Sequence, residues 1–402
     1  MSALNSYREL ATLGRPLWVL AGASLINRCG AMVLAFITLY FVKVLGFSLL
    51  IAGTLTAVYS AGSVLSAPVS AYLCRRYSAW RVLTLSVLLS GFVMLLYPLV
   101  TTLPALVPLT LLFGCITEVA RPAGYTCYGQ LAPKDRKREA FALHRLSVNL
   151  GMSLGPAIGG FLATIDYRYI FWADGISSIL AALVLIIWSA EVELQMPKKT
   201  EKAATSPLPM RFRLFILGNF FGLLAFTQLF AGVPLFAVEF VHLSEARAGL
   251  LFTCNTLLVL LFEAPVVHMT KSWKLSRALT LGHLLQGSGL ALLGLFPTFH
   301  GMLVGIALFT AGEMLQAPLG LAYVNESVPA ESLPAANSWL AGTGSVAFLI
   351  GPPLTALSLE QLGGTGHWSI VGGLGLLAAV WMWMLGEPSD LRPGVAGTEG
   401  ER

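Results

Sequence analysis

The sequence is poor in charge. Asp, Glu, Lys and Arg together make up 11% of its 402 residues, whereas a soluble domain carries about 25%. Apolar and aromatic residues make up 56%. A water-soluble protein of this size is therefore excluded, and the composition is typical of a chain that lies in lipid.

Motifs for covalent or metal chemistry are also missing. The five cysteines lie in or beside apolar runs without a CxxC pair, which indicates small buried hydrophobes and not a disulfide framework or metal site. The six histidines form no HExxH motif. The phosphate-binding loop G-x-x-x-x-G-K-[ST] is absent, which argues against ATP as an energy source. We therefore expect no cofactor, no metal and no enzymatic activity.

What the sequence does contain is twelve apolar runs of roughly the 20 residues that a helix needs to cross a bilayer. Many of them are apolar all round and do not alternate, which excludes a β-barrel. We predict an all-α integral membrane protein with twelve transmembrane helices. The predicted spans are 17–42, 49–73, 82–100, 104–131, 140–164, 168–190, 212–238, 246–269, 277–297, 301–327, 335–359 and 366–385.

The polar segments divide the chain into two equal parts. Residues 191–213 are the only long polar interruption before the tail, and they are predicted to be a cytoplasmic linker. The predicted domains are a six-helix bundle over 1–190 and a second over 214–385. Residues 386–402 are polar and are predicted to be a disordered cytoplasmic tail.

The positions of Lys and Arg predict the orientation. Nineteen of the 25 fall at the termini or in loops on one side of the predicted membrane, and Lys43, Arg168 and Arg247 fall on the other. By the positive-inside rule, both termini and the linker are cytoplasmic, in the plasma (cell inner) membrane. The net charge of +5 follows from this topology and implies no nucleic-acid partner. The expected partners are the lipid bilayer, a small-molecule substrate and protons, and we expect a monomer.

The two halves resemble each other at a constant offset of 196 residues. Because six spans separate equivalent positions, both copies cross the membrane in the same direction. Parallel repeats of this kind predict a pseudo-twofold axis along the membrane normal, with a substrate site between the halves near the middle of the bilayer. The matching pairs are Pro122/Pro318, Pro133/Pro329, Pro156/Pro352, Gly53/Gly249, Gly91/Gly287, Gly124/Gly320 and Gly155/Gly351.

A glycine motif stands out in the fifth span, NLGMSLGPAIGG over 149–160. Gly151, Gly155 and Gly159 are four residues apart and so line one stripe of a helix. Small residues let two helix backbones approach closely in lipid. Pro156 removes a backbone donor inside the same helix and is expected to bend it. The pattern predicts either close packing alone or a helix that swaps between two packings.

The chain resembles the major facilitator superfamily over almost its whole length. The run Gly151-x-x-x-Gly155-Pro156-x-x-Gly159-Gly160 is similar to the fifth-helix motif of that superfamily's drug:proton antiporters. The loop motif between the second and third helices is only partly kept, as Arg75, Arg76 and Arg81, because Arg75 occupies the position of the family's acid. The resemblance implies a major facilitator fold and alternating access, with helices one, four, seven and ten around a central cavity.

Ionisable residues inside the spans are functional candidates, because charge in the bilayer core is costly. We predict proton coupling by Glu313 first, and by Glu263 or Glu118. Glu313 and Glu263 are expected to have no nearby cation unless Arg28 or Arg121 reaches across the central cavity, and Arg145 is expected to reach toward the lipid headgroups. Glu118 and Arg121 are one helical turn apart and predict a local ion pair that could open during transport.

The predicted substrate-binding residues are Arg28, Asn27, Arg121, Tyr125, Gln228 and Gln316, with Asn255 and Asn337 as further polar candidates.

These residues and the resemblance together predict a proton-coupled efflux antiporter of a small amphipathic or drug-like molecule. An alternative is an importer or facilitator of a small organic anion or metabolite, with Arg28 and Arg121 holding the anion.

Overall fold

The computed structural model describes residues 12–30, 32–133, 136–188, 208–270, 272–328 and 332–387, and this part of the chain is almost entirely helical. The helices are α1 (in two segments, Arg15–Gly30 and Val33–Lys43), α2 (Leu49–Arg76), α3 (Ala79–Leu96), α4 (Leu103–Leu131), α5 (Lys137–Ile165), α6 (Arg168–Ile187), α7 (Met210–Leu235), α8 (Glu245–Met269), α9 (Leu275–Leu295) and α10 (Phe299–Ser327). A 3₁₀ turn, Tyr97–Leu99, follows α3, and a π turn, Phe236–Phe240, follows α7.

The last helical stretch, Leu333–Leu385, is 53 residues long. As one straight helix it would measure about 80 Å, far more than the bilayer core of about 30 Å. Its backbone leaves the helical conformation at Gly363, where φ is 66°. We label the parts before and after this glycine α11 and α12. With this division the eleven apolar stretches that are long enough to cross a membrane provide twelve spans, and the prediction of an all-α membrane protein is confirmed.

Most of the predicted linker and tail lies outside the described residues, so the domain boundaries stay a prediction. The structure differs from the prediction at the end of the linker and at the start of the tail. Helix α7 begins at Met210, inside the predicted linker, where Arg211 Nε donates to Tyr323 Oη at 3.2 Å. Glu387, at the start of the predicted disordered tail, accepts hydrogen bonds from the backbone N–H groups of Leu275 and Ser276. The Glu387 carboxylate thereby satisfies backbone donors at the start of α9.

Equivalent helices begin in the same way in both halves. The Ser48 hydroxyl accepts from the Ile51 N–H at 3.3 Å and caps α2. Ser244, 196 residues later, accepts from the Arg247 N–H at 3.4 Å and caps α8. A serine at this position satisfies one of the backbone donors that a helix leaves free at its start. The repeat therefore fixes local structure as well as the hydrophobic pattern.

The contacts between the halves obey the same offset. A Cβ on Gly53 of α2 would lie 2.8 Å from the Pro352 carbonyl oxygen of α11, and a Cβ on Gly249 of α8 would overlap the Pro156 carbonyl oxygen of α5. Gly249 is 196 residues after Gly53, and Pro352 is 196 after Pro156. The α2–α11 and α5–α8 contacts are thus equivalent, as expected for two six-helix bundles related by a twofold axis.

The glycine stripe of α5 packs against α1. A Cβ on Gly155 would lie 3.0 Å from the Arg28 carbonyl oxygen, and one on Gly159 would lie 2.6 Å from Met32 Cβ. Gly160 instead faces α8, where a Cβ would overlap the Glu245 carbonyl oxygen. Side chains at these positions would separate the backbones. Helix α5 is therefore packed closely against α1 in its own bundle and α8 in the other.

The apolar core shows where the two bundles touch. We call the membrane face at which α1 begins and α12 ends the termini side, and the opposite face the distal side. On the distal side one cluster joins both bundles, including Phe36 and Phe171 from the first and Phe236 and Phe309 from the second. On the termini side, two clusters each belong to one bundle alone. The bundles therefore separate toward the termini side, and the space between them opens there.

Polar contacts between the bundles also close the distal side. Lys43 Nζ lies 2.9 Å from Glu245 Oε1 and 3.7 Å from Glu239 Oε1. The Tyr167 hydroxyl donates to the same Glu245 oxygen at 2.9 Å. The end of α1 and the start of α6 are thereby tied to the start of α8, so these contacts must break for the distal side to open.

Replacing Lys43 with Met is expected to favour opening of the distal side. Half-exposed ion pairs contribute up to about 1 kcal/mol, so the population open to that side should rise by up to about fivefold. The measurement is distal-side labelling of a cysteine introduced at the cavity residue Phe230, in a chain without its native cysteines. Arg247→Met is the control, because Arg247 stacks on Phe299 within its own bundle. Equal labelling of the two variants would contradict the role of Lys43.

Candidate functional site

A cavity of about 350 Å³ lies between the bundles. Most of its wall is apolar, with Met152, Phe226, Leu229, Phe230 and Val259 among the lining residues. Its polar lining consists of Ser24, Asn27, Arg28, Arg121, Tyr125, His144, Asn149, Asn255, Thr256 and Glu313. The volume is that of a small-molecule site.

Glu313 of α10 is the single carboxyl among these lining residues. Asn255 of α8 holds it, because its Nδ2 donates to Glu313 Oε2 at 2.7 Å and to Thr310 Oγ1 at 2.9 Å. Among the described residues, no Lys, Arg or His nitrogen lies within 4.0 Å of the Glu313 carboxylate. The structure thus places Glu313 in the cavity wall without a cationic partner.

Arg28 of α1 lines the same cavity from the first bundle. No carboxylate of the described residues lies within 4.0 Å of its guanidinium group. The neighbouring Asn27 is held from behind, since its Nδ2 donates to Ser178 Oγ at 3.0 Å and Ser178 in turn donates to Asp174 Oδ1 at 3.4 Å. Helix α6 therefore positions Asn27, while the charge of Arg28 remains open to the cavity.

Glu118 and Arg121 form the ion pair that their spacing predicts. Arg121 Nη2 lies 2.7 Å from Glu118 Oε2, and Tyr59 donates to the other carboxylate oxygen at 3.3 Å. Arg121 and Tyr125 line the cavity, whereas Glu118 is buried behind them. The positive charge of Arg121 is therefore already balanced, and Glu118 lies outside the cavity wall.

Glu263 corrects one expectation. It was predicted to lack a cation, yet Arg145 of α5 forms an ion pair with it across the two bundles. Arg145 therefore reaches toward α8, and the prediction that it extends to the headgroups is wrong. The two residues are 118 positions apart, and only the α5–α8 packing brings them together. Glu263 does not line the cavity.

The Arg145–Glu263 pair is expected to stabilise the contact between the bundles. Arg145 is more than half exposed, so a coupling free energy of about 1 kcal/mol is the upper range for such a pair. Thermal unfolding of the Arg145→Met, Glu263→Gln and double variants in one detergent would measure it by a double-mutant cycle. Strict additivity of the two single changes would show that the ion pair contributes nothing.

Gln228 and Gln316 do not reach the cavity, contrary to the prediction that they bind substrate. Gln228 Oε1 accepts from Thr355 Oγ1 at 2.7 Å and joins α7 to α11. Gln316 Nε2 lies 3.2 Å from His283 Nδ1 and joins α10 to α9. Both amides hold helices together because their polar atoms need partners inside the bundle. Asn337 is exposed and also lies outside the lining.

Several lining residues were not predicted. His144 packs against Tyr125 and Tyr128, with ring centroids 5.3 and 4.6 Å away. Phe226 and Phe230 come from α7. Asn149 is the first residue of the glycine motif, which was a usable signal, but the phenylalanines resemble any other apolar residue of a span.

The partly kept loop motif lies on the termini side. Arg75, Arg76 and Arg81 are exposed around the end of α2 and the start of α3. The Arg76 guanidinium lies 4.7 Å from the centre of the Tyr72 ring. None of the three forms an ion pair with a carboxylate of the described residues. A conformational role for them stays a prediction.

Two twofold-related helical bundles that enclose a cavity lined from both sides define a multi-pass membrane transporter. The family model described as Major Facilitator Superfamily matches residues 20–245 and 215–402. The chain belongs to that superfamily.

Three proteins of this kind are similar to the chain. A Na(+), Li(+), K(+)/H(+) antiporter of Planococcus maritimus is 24% identical, covering 91% of this chain and 94% of its own. The quinolone resistance protein NorA of Staphylococcus aureus is 25% identical over 37% of this chain and 40% of its own. A solved POT family transporter in complex with 5-aminolevulinic acid superposes with a TM-score of 0.79 at 17% identity, covering 92% and 96% of the two chains. That likeness concerns the fold alone.

Proposed function

We propose that this transporter is a proton-coupled antiporter that exports a small amphipathic or drug-like molecule from the cytoplasm. The observation that carries the proposal is the position of Glu313, the one carboxyl among the described cavity-lining residues, held by Asn255 and without a cation within 4.0 Å. A carboxyl in such a place can bind a proton in one state of the transporter and lose it in the other.

The cycle follows from the contacts between the bundles. Substrate enters the cavity from the termini side while Glu313 loses its proton to that side. The bundles then rock on the α5–α8 and α2–α11 contacts, with α5 bending at Pro156, and open the distal side. A proton arriving there binds Glu313 and weakens substrate binding. Coupling is thus the difference in how proton and substrate stabilise the two states.

Three further observations support export by antiport. The apolar wall suits an amphipathic molecule. Among the relatives, one is named an antiporter and another a quinolone resistance protein. The excess of Lys and Arg on the termini side favours a cytoplasmic location for both termini in the cell inner membrane, so that the cavity faces the cytoplasm. We propose that the unit is a monomer.

A second candidate is import or facilitated movement of a small organic anion, and the unpartnered Arg28 favours it. An anion clamp made by Arg28 together with Arg121 is weaker, because Glu118 balances the charge of Arg121. An anion held by Arg28 would bind best when Glu313 is protonated, so anion and proton would move together. The direction of proton movement therefore separates this candidate from antiport.

The test is transport of a compound panel by the full chain in proteoliposomes with an imposed pH gradient. Antiport predicts that a transported compound moves against its gradient only while the proton gradient lasts, and that adding it to one side drives protons the opposite way. Transport that a protonophore leaves unchanged would overturn proton coupling. Movement of protons in the same direction as an anionic compound would favour the second candidate.

A further inference from the structure

The cavity holds two ionisable residues of opposite sign without an ion-pair partner, one in each bundle. Arg28 on α1 has no carboxylate within 4.0 Å, and Glu313 on α10 has no cation within 4.0 Å, among the described residues. Both line the same cavity, and the other charged residue of its wall, Arg121, is neutralised by Glu118. The cavity therefore presents a guanidinium group from the first bundle and a carboxyl group from the second.

The charged form of such a residue is costly in a membrane protein until a partner arrives. Each one loses water without gaining an ion pair, and a ligand that supplies the missing opposite charge recovers part of that loss. A molecule with one anionic and one cationic end would satisfy both at once. Such a molecule would also contact both bundles, so its binding would depend on the distance between them in this conformation.

The wall around these charges constrains the rest of the molecule. Met152, Leu229 and Val259 contribute aliphatic surface, and Phe226 and Phe230 contribute aromatic surface. An apolar body suits this lining, because an inserted polar body would lose its hydrogen bonds to water.

We infer that the substrate is an amphipathic zwitterion, with its anionic group bound by Arg28 and its cationic group bound by the carboxylate of Glu313. The inference rests on the proposed antiport and specifies the chemistry of its substrate. The cationic end and a proton compete for Glu313, which couples the two, whereas the anionic end on Arg28 does not compete. Other titratable groups facing the cavity are Tyr125 and His144 in the first bundle, and the pH response must be separated from theirs.

The test uses three matched series of alkyl compounds with four, six and eight carbons: ω-aminoalkanoates, alkanoates and alkylamines. Calorimetric titration of the full chain in lipid nanodiscs, against empty nanodiscs, gives affinities. Buffers of different ionisation enthalpy give the number of protons released. At the best chain length the zwitterion should bind at least about tenfold more tightly than the anion or the amine, as expected for one added charge-assisted contact, and should release protons.

Variants assign each end. Arg28→Gln should reduce the affinity for the zwitterion to that for the amine, with partial recovery in Arg28→Lys, while amine binding stays unchanged as a sign that the protein is folded. Glu313→Gln should reduce the affinity for the zwitterion to the affinity for the alkanoate, and it should abolish proton release. Glu263→Gln, which lies outside the cavity wall, should keep the release.

The inference is overturned if the amine binds as tightly as the zwitterion, if Arg28→Gln leaves the preference intact, or if no member of the series binds saturably. If the amine binds as tightly as the zwitterion, releases protons and is transported in exchange for protons, the antiport proposal stands and only the inference of a zwitterionic substrate fails. Conversely, zwitterion binding that needs both residues but releases no proton would support the inference and contradict antiport.

Discussion

Replacing Glu313 with Gln is expected to reduce proton-driven transport by at least about tenfold while the protein still folds and inserts. Glutamine has nearly the same shape, and its amide oxygen can accept the hydrogen bond that Asn255 now donates to the Glu313 carboxylate. The change removes the ability to gain and lose a proton, and the charge-assisted contact to any cationic group. Exchange of substrate at saturating concentration, which needs no proton transfer, should persist without a proton gradient.

The measurement is initial transport in proteoliposomes with and without an imposed pH gradient, using a compound that the wild-type protein moves. Glu263→Gln is a matched control, because Glu263 is paired with Arg145 and does not line the cavity. It should keep its dependence on the gradient. If Glu313→Gln keeps the same gradient dependence as the control, Glu313 is not the coupling residue.

Substituting Gly160 with Leu is expected to trap the transporter with its distal side open. A Cβ at Gly160 would overlap the Glu245 carbonyl oxygen and lie 3.1 Å from Ala246 Cα. These are backbone atoms at the start of α8, so no side-chain rotation can relieve the overlap. Overpacking of this kind costs about 1–3 kcal/mol. The strain disappears if the bundles part on the distal side, so the population open to the termini side should fall by about tenfold.

A cysteine at Met152, which lines the cavity, reports this change in a chain without native cysteines. Its labelling from the termini side should fall by about tenfold in Gly160→Leu. Gly373→Leu is the control, because nothing lies within 4 Å of a Cβ at that position. Where Gly160→Leu does not fold, Gly160→Ala provides the same overlap with fewer atoms. Unchanged labelling in both Gly160 variants would show that this contact does not restrain the distal side.

The helices of this protein were predictable because lipid leaves few alternatives. A chain that crosses a bilayer must satisfy its backbone within helices of about 20 apolar residues. The twelve predicted spans therefore agree with the helices to within a few residues, and Gly363 divides the longest stretch between the last two of them. The ion pair of Glu118 with Arg121 was equally accessible, because residues three apart on a helix are neighbours.

The composition of the cavity was predictable only in part. Arg28, Arg121, Tyr125 and Glu313 were found because charge and polarity are rare in the spans. Gln228 was misplaced by the same reasoning, since a buried amide serves equally well between two helices. Hydropathy cannot separate these cases, because a helix in lipid is apolar both toward the lipid and toward its neighbours.

By itself the sequence determined the class of protein, the number of spans and the 196-residue repeat, since each follows from local hydrophobicity and spacing. Only the tertiary structure decided which charges are paired between helices that are distant in the sequence. It placed Arg145 beside Glu263 and left Arg28 and Glu313 unpaired on opposite walls of one cavity. The physical reason is that a charge is neutralised by whatever lies within a few ångströms of it. For Arg145 and Glu263, those neighbours lie 118 positions apart in the sequence.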